Sequence, residues 1–303
     1  MNLKTLIKNG TKAFTPYGII VLRKRILNKN QVPNQVKVFK KIFLKNDIPG
    51  KQYFDFSGAF MPDISEDTGL MNNLITVFKD TFMFHCLLND NYDKSIIEAL
   101  GLYMPEGEGP YGYKDGSFDI TVHKDDVVID AGAWCGDFSA YSASKGATAY
   151  AFEPTCSTFT WLEKTAELNK DSGKIIPIKC GLGAECKTIG LFSGDSPEAG
   201  SNTVAQQRSQ KMKLIENIKV VTLDQFVAEH NLPRIDFIKA DIEGAERDML
   251  KGATNVLKKM CPKLAICTYH FPDDPEVLEN IILAANPNYK IVHLNKKLFA
   301  SVV

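Results

Sequence analysis

The chain has 303 residues, of which 44% are hydrophobic, 24% charged and 10% aromatic, a balance that builds a globular core and excludes a disordered or collagen-like chain. Its 36 basic and 36 acidic side chains cancel, but the zero is a sum of unequal parts. The first fifty residues hold eleven lysines and arginines against the single acid Asp47, leaving 25 basic and 35 acidic side chains in the rest.

Residues 1–50 read as a basic helical arm of two partly amphipathic helices, broken near Thr15-Pro16 and Val32-Pro33 because proline stops the preceding turn. Its apolar patch Tyr17–Leu22 stops at Arg23-Lys24-Arg25, far short of the roughly 18 residues a membrane span needs. Positive charge after the patch, and no small-residue cleavage site, argue against a signal peptide. Aromatics beside that cluster favour peripheral contact with anionic lipid over nucleic acid, against the competing reading of a solvated or docked helix. Seven cysteines without Cys-x-x-Cys spacing fit reduced, mostly buried thiols in a cytoplasmic protein, at most at the inner face of the membrane.

Residues 51–117 read as a helical and loop extension leading into the core. Helical spacing occurs at Leu70, Leu74, Val77 and Phe78 and again at Ile96, Ile97 and Leu100, followed by a turn-rich stretch from Pro105 to Gly116. From residue 118 to 303 apolar runs alternate with helical stretches, which predicts a mostly parallel sheet covered on both faces. The runs are Val127–Ile129, Ala149–Phe152, Ile175–Ile178, Phe237–Ala240 and Leu264–Thr268, with helices after the first, second and fourth. Two extended pieces, Thr188–Phe192 and Ile218–Val221, flank a polar, Ser-rich insertion. Two β-rich pieces around Asn295-Lys296-Lys297 predict a closing antiparallel hairpin.

Chemistry concentrates at the carboxyl ends of these runs, where α/β sheets bind ligands. Asp130-Ala-Gly132-Ala-Trp134-Cys-Gly136 joins strand to helix. Trp134 stands where a dinucleotide fingerprint requires its middle glycine, which disfavours a nicotinamide-dependent oxidoreductase. Asp130 suits a cationic ligand group, such as the ammonium of S-adenosylmethionine. Glu153, at the end of the second run and held by Pro154, sits where a carboxylate accepts ribose hydroxyls. Cys180 and Gly181 follow the third run, near the expected adenine. The fourth run ends in Asp241-Ile-Glu243-Gly-Ala-Glu246, three acids that repel one another unless a cation, a ligand or helix N–H groups offset them. His270 ends the fifth run on the same rim, so Asp241, Glu243 and His270 are the candidates for general base. A divalent metal on the same acids is chemically reasonable, but no spacing specific to a metal occurs and no metal ligand is assigned. Hydrolase and phosphate-loop motifs are absent from the sequence.

The segments VVIDAGAWCGDFSAY, AYAFEP, TLDQF and above all DFIKADIEGAERDMLKGA resemble the FkbM-type methyltransferases, a branch of the class I S-adenosylmethionine-dependent enzymes. The resemblance runs from about Glu106 to the C-terminus. It implies an α/β, Rossmann-like fold whose seven-stranded, mostly parallel sheet ends in an antiparallel hairpin, preceded here by the N-terminal helical extension. It also implies O-methylation of a hydroxyl on a sugar, glycan or secondary metabolite. Carried over by position, Asp130, Gly132 and Gly136 line the methionine end of the cofactor, Glu153 holds its ribose, and Asp241 and Glu243 lie near the transferred methyl. Trp134-Cys135 stands where relatives often have Asn-Ile, so cofactor packing or the acceptor mouth differs there. A cofactor-binding module without catalysis is the alternative of a different class. The acceptor and the oligomeric state are not legible.

Overall fold

The computed structural model describes residues 32–82, 111–116, 118–193 and 213–302. The first 31 residues of the basic arm, the spacing at Ile96–Leu100, Cys86 and the Ser-rich insertion lie outside them.

Seven strands form the central sheet: β6 (Val127–Ala131), β7 (Thr148–Phe152), β8 (Lys174–Ile178), β12 (Phe237–Ala240), β13 (Lys263–Cys267), β14 (Tyr289–Leu294) and β15 (Lys297–Val302). Their order is β14-β15-β13-β12-β6-β7-β8. The five strands from β13 to β8 pair in parallel, and β15 pairs antiparallel with both β13 and β14. Each expected run is therefore a strand, and the C-terminal hairpin turns at Asn295 and Lys296, both at positive φ as its tight turn requires. Pro177 cannot donate to a ladder, and it sits in the edge strand β8.

Helices α3 (Asp137–Ser144), α4 (Cys156–Leu168) and α6 (Glu246–Lys251) follow β6, β7 and β12, as expected. Among the described residues the remaining core-domain helices are α5 (Leu223–Glu229), α7 (Thr254–Lys259) and α8 (Asp274–Ala285). All four residues of β12 are buried, which explains its uninterrupted apolar reading: a central parallel strand has no solvent face. The two extended pieces are β10 (Lys187–Ser193) and β11 (Lys213–Val221), an antiparallel pair. β11 also pairs with the short β9 (Gly181–Leu182), making a second sheet above the carboxyl ends of the first.

The N-terminal part contains a sheet that the expected helical and loop extension did not include. Helix α1 (Val32–Phe43) leads into β1 (Leu44–Lys45), β2 (Tyr53–Phe56) and β3 (Ala59–Pro62), and α2 (Thr68–Thr81) follows. Asp67 caps α2 by accepting from the N–H groups of Gly69 and Leu70. Phe39, Phe43, Phe54, Phe56, Phe78 and Phe82 form its buried core, and Trp134 and Trp161 of the following domain pack against it. Asn169, at the end of α4, accepts from the Phe60 N–H (3.0 Å) and donates to the Phe60 carbonyl (2.7 Å), latching β3 to the main domain. The short strands β4 (Tyr113–Lys114) and β5 (Asp119–Ile120) pair just before β6.

Among the described residues no helix is long and apolar enough to cross a membrane. Cys135, Cys180 and Cys267 are buried, but Cys156 and Cys186 are exposed, so the buried-thiol expectation holds for only part of the set.

Candidate active site

The order of the central sheet reverses between β6 and β12, the place where α/β sheets open a crevice for a ligand. A cavity lies there, walled by the turn after β6 (Gly132, Trp134), by Glu153 after β7, by Asp241 and Glu243 after β12, and by apolar side chains of the second sheet such as Ile189, Leu191 and Val220. Gly132 permits the closeness of the two strand ends. A Cβ at that residue would stand 2.0 Å from the Asp241 carbonyl oxygen, and its φ is +74°.

Glu153 is buried. Its carboxylate accepts the backbone N–H of Trp134 (3.0 Å) and of Thr155 (2.8 Å), one at each oxygen. Each oxygen keeps lone-pair capacity toward the cavity. Burial raises its pKa, opposed by donors on Thr155, Thr158 and Trp134. Trp134 itself has φ +49°. The left-handed turn thus places the indole between the aromatic N-terminal core and the cavity wall, while the backbone N–H of the same residue points at Glu153.

On the opposite wall Asp241 is clamped by two phenols: Tyr111 donates to Oδ2 (2.7 Å) and Tyr269 to Oδ1 (2.9 Å). Burial pushes its pKa up, but Lys239, His270, Tyr111 and Lys297 outweigh burial and the carboxyl is held below its ordinary value. Asp241 is therefore a fixed negative charge and a poor proton acceptor. Glu243, about one fifth exposed, faces the cavity from a left-handed backbone conformation, φ +57°. Such a conformation costs energy for a residue with a Cβ and is found where function constrains the chain.

His270 is fully enclosed. Its Nδ1 lies 3.0 Å from Glu246 Oε1, and its Nε2 lies 3.5 Å from Asp241 Oδ1 and 3.6 Å from Glu243 Oε2. Burial favours the neutral ring, but Glu246, Asp241 and Glu243 outweigh it and raise the imidazole above its usual pKa. The buried Glu246 also accepts the N–H groups of Ile242 and Gly244, closing the turn that carries Glu243. One ligand atom from each of Asp241, Glu243 and His270 falls within 4.8 Å of the others.

The expectation that Asp130 meets a cofactor ammonium needs correction, since its side chain does not line the cavity. It is completely buried, Oδ1 lying 3.0 Å from Lys239 Nζ and Oδ2 accepting from Ser139. Lys239 further donates to the Gly132 carbonyl (2.8 Å), so the pair braces the turn from beneath. Gly136 is likewise absent from the wall. A Cβ there would meet Leu162 at 2.8 Å, which makes it a contact of α3 with α4. Cys180 lies in the core, its thiol pushed up to about 11 by burial, while the neighbouring Gly181 does line the cavity. Sequence reading missed Tyr111, Tyr269 and the second sheet as parts of the site. Tyr111 in PYGY and Tyr269 in TYH carry no spacing that announces a shared carboxylate 130 and 28 residues away.

A seven-stranded sheet with a reversed C-terminal hairpin and an acid-rimmed crevice at its switch point defines the Rossmann-like class I methyltransferase architecture. Residues 119–291 match the methyltransferase FkbM domain, and the chain belongs to that family. It is 28% identical over 175 residues to the hexuronic acid methyltransferase AglP of Haloferax volcanii, covering 58% of this chain and 69% of that protein. It is 31% identical over 157 residues to Methyltransferase 1 of Beauveria bassiana, covering 46% and 63%. A solved FkbM methyltransferase from Methylobacillus flagellatus is similar at 20% identity and TM-score 0.49, covering 90% of this chain and 59% of that one. Family membership makes this a chain of a methyltransferase family, and it implies S-adenosylmethionine as methyl donor.

Proposed function

We propose that the chain transfers a methyl group from S-adenosylmethionine to a hydroxyl of a sugar or related glycan, with residues 118–303 as the catalytic domain. The observation that carries this reading is the crevice itself, in which a ribose-type carboxylate, Glu153, stands opposite an acidic pair, Asp241 and Glu243, across a glycine-tight turn. The resemblance to the hexuronic acid methyltransferase supports a sugar acceptor.

The residues fit the cofactor. Glu153 would accept the ribose hydroxyls, the backbone at Gly132 and Trp134 would flank the methionine portion, and Gly181 with the apolar second sheet would cover the base. When bound, the cofactor supplies a methyl group on a sulfonium, which leaves as a neutral thioether. The protein must orient the acceptor oxygen in line with that methyl and remove its proton. We assign the base to Glu243, which lines the cavity and is about one fifth exposed, whereas two phenols and Lys239 hold Asp241 in its charged form and His270 is enclosed. Asp241 acts as a fixed charge toward the cationic donor, and His270 holds the two acids at their spacing.

Calorimetric titration of the purified chain with S-adenosylmethionine and with NAD, followed by mass spectrometry of hexuronate- and hexose-containing glycans for the gain of one CH2, tests the reading. Cofactor binding with no methyl transfer to any glycan would leave a binding module instead of a glycan methyltransferase.

A further inference from the structure

Asp241, Glu243 and His270 come from two strand ends, yet their oxygen, oxygen and nitrogen atoms converge within 4.8 Å. We propose that these three side chains bind a divalent cation that draws the acceptor hydroxyl into the crevice, an inference that rests on the methyltransferase reading above.

Two features beyond proximity point to a ligand set. The first is the orientation of the histidine. Glu246 Oε1 takes Nδ1 at 3.0 Å and is itself anchored by two backbone N–H groups, so Nε2 is turned toward Asp241 and Glu243. A buried carboxylate behind a histidine is the arrangement that fixes the tautomer and the ring plane of metal-ligating imidazoles. The second is the double clamp on Asp241, whose two oxygens are held by phenols 2.7 and 2.9 Å away. Such outer contacts orient a ligating carboxylate and still leave lone pairs for an ion. The nearby Lys239 does not take the place of the cation, because its ammonium is engaged by Asp130 and by the Gly132 carbonyl. A mixed oxygen and nitrogen donor set suits Mn2+ or Mg2+ with the remaining positions left to water and acceptor. Asp241 and Glu243, each about one fifth exposed, form the side that opens to the cavity. An acceptor hydroxyl bound there would lose its proton to the Glu243 oxygen not engaged by the ion. The new O–CH3 bond forms as the S–CH3 bond of the sulfonium breaks. A cation on this rim also lets an acidic crevice accept a sugar that bears its own carboxylate.

The full chain, freed of metal by chelation, is titrated with Mn2+ alone, and free ion is followed by its paramagnetic resonance signal. One saturable site is expected, weakened on the order of tenfold or more in Glu243→Gln and in His270→Gln. Glu243 lies at the cavity mouth, so thermal unfolding of Glu243→Gln is expected to match wild type and to separate ligand loss from misfolding. Absence of saturable binding to wild type, or equal binding by Glu243→Gln, overturns the site. S-adenosylmethionine binding and methyl transfer in excess chelator are measured on the same protein. Undiminished transfer without metal refutes the cation while the methyltransferase reading stands. Mn2+ binding without cofactor binding keeps the site and sinks the reading on which its role rests.

Discussion

Glu243 and Asp241 sit two residues apart, but their surroundings give them different chemistry. Two phenols and the charge of Lys239 lock Asp241 as a carboxylate, whereas Glu243 meets the cavity from a strained backbone position. Glu243→Gln is expected to lower kcat by about 100-fold to 10,000-fold, the size of a general-base contribution, with cofactor affinity measured by calorimetry unchanged. Glu153→Gln should do the reverse. It removes a charged acceptor worth about 1.5–3 kcal/mol, so cofactor affinity falls by roughly one to two orders of magnitude in the same titration. A third residue-scale prediction concerns Asp137, which is buried and accepts the Thr81 hydroxyl at 2.7 Å. Burial raises its pKa from 3.8 to about 6, opposed by Lys239. The folded state then binds this proton more tightly than the unfolded chain, so its stabilising effect is full below pH about 4 and is lost as pH rises through about 6. Urea denaturation should show Asp137→Asn gaining on wild type by on the order of 3 kcal/mol between acid and neutral pH. A constant difference between the two proteins would refute the assignment.

At the scale of elements, the parallel strands were legible as apolar runs, most completely in the central β12, because a strand buried on both faces reads without interruption. The β2–β3 hairpin was not. Its signal was present in Tyr53-Phe-Asp-Phe56 and Ala59-Phe-Met-Pro62 joined by Ser57-Gly58, both of which adopt positive φ. Two four-residue strands among helical spacing are too short for periodicity to separate them from helix ends. The hairpin carries the centre of the aromatic core. Phe56 is wholly buried and packs on the rings of Phe43 (5.1 Å) and Phe82 (4.3 Å). Phe56→Ala is expected to cost about 3–5 kcal/mol, as for other fully buried aromatics, and to lower the thermal midpoint accordingly.

Over the whole molecule, the N-terminal unit is joined to the domain that holds the site through Trp134, the Thr81–Asp137 hydrogen bond and the Asn169 latch on Phe60. Asn169→Ala would leave the Phe60 carbonyl without this donor and the Phe60 N–H without its acceptor, a cost of about 1–3 kcal/mol for each buried group left unpaired, while the Thr165 carbonyl keeps the backbone N–H of residue 169. Hydrogen exchange should therefore quicken in residues 53–62 while β12 stays protected, because the latch is a local contact and the central sheet is not opened by its loss. Faster exchange in β12 to the same extent would show that the two parts unfold as one.

Taken alone, the sequence was sufficient for the succession of strands in the central sheet with the helices after three of them, for the reversed hairpin and for the family, because each rests on local pattern: apolar runs, turn residues and motifs contiguous along the chain. It also located the carboxylates at strand ends, since the strand boundary and the acid are neighbours in sequence. What each carboxylate does was decided only by tertiary structure. Asp130 and Asp241 read alike as strand-tip acids, yet one is buried in an ion pair with Lys239 away from the cavity and the other is held charged at the crevice by Tyr111 and Tyr269. Charge state and exposure depend on partners that arrive from distant segments, and no spacing along the chain encodes that convergence.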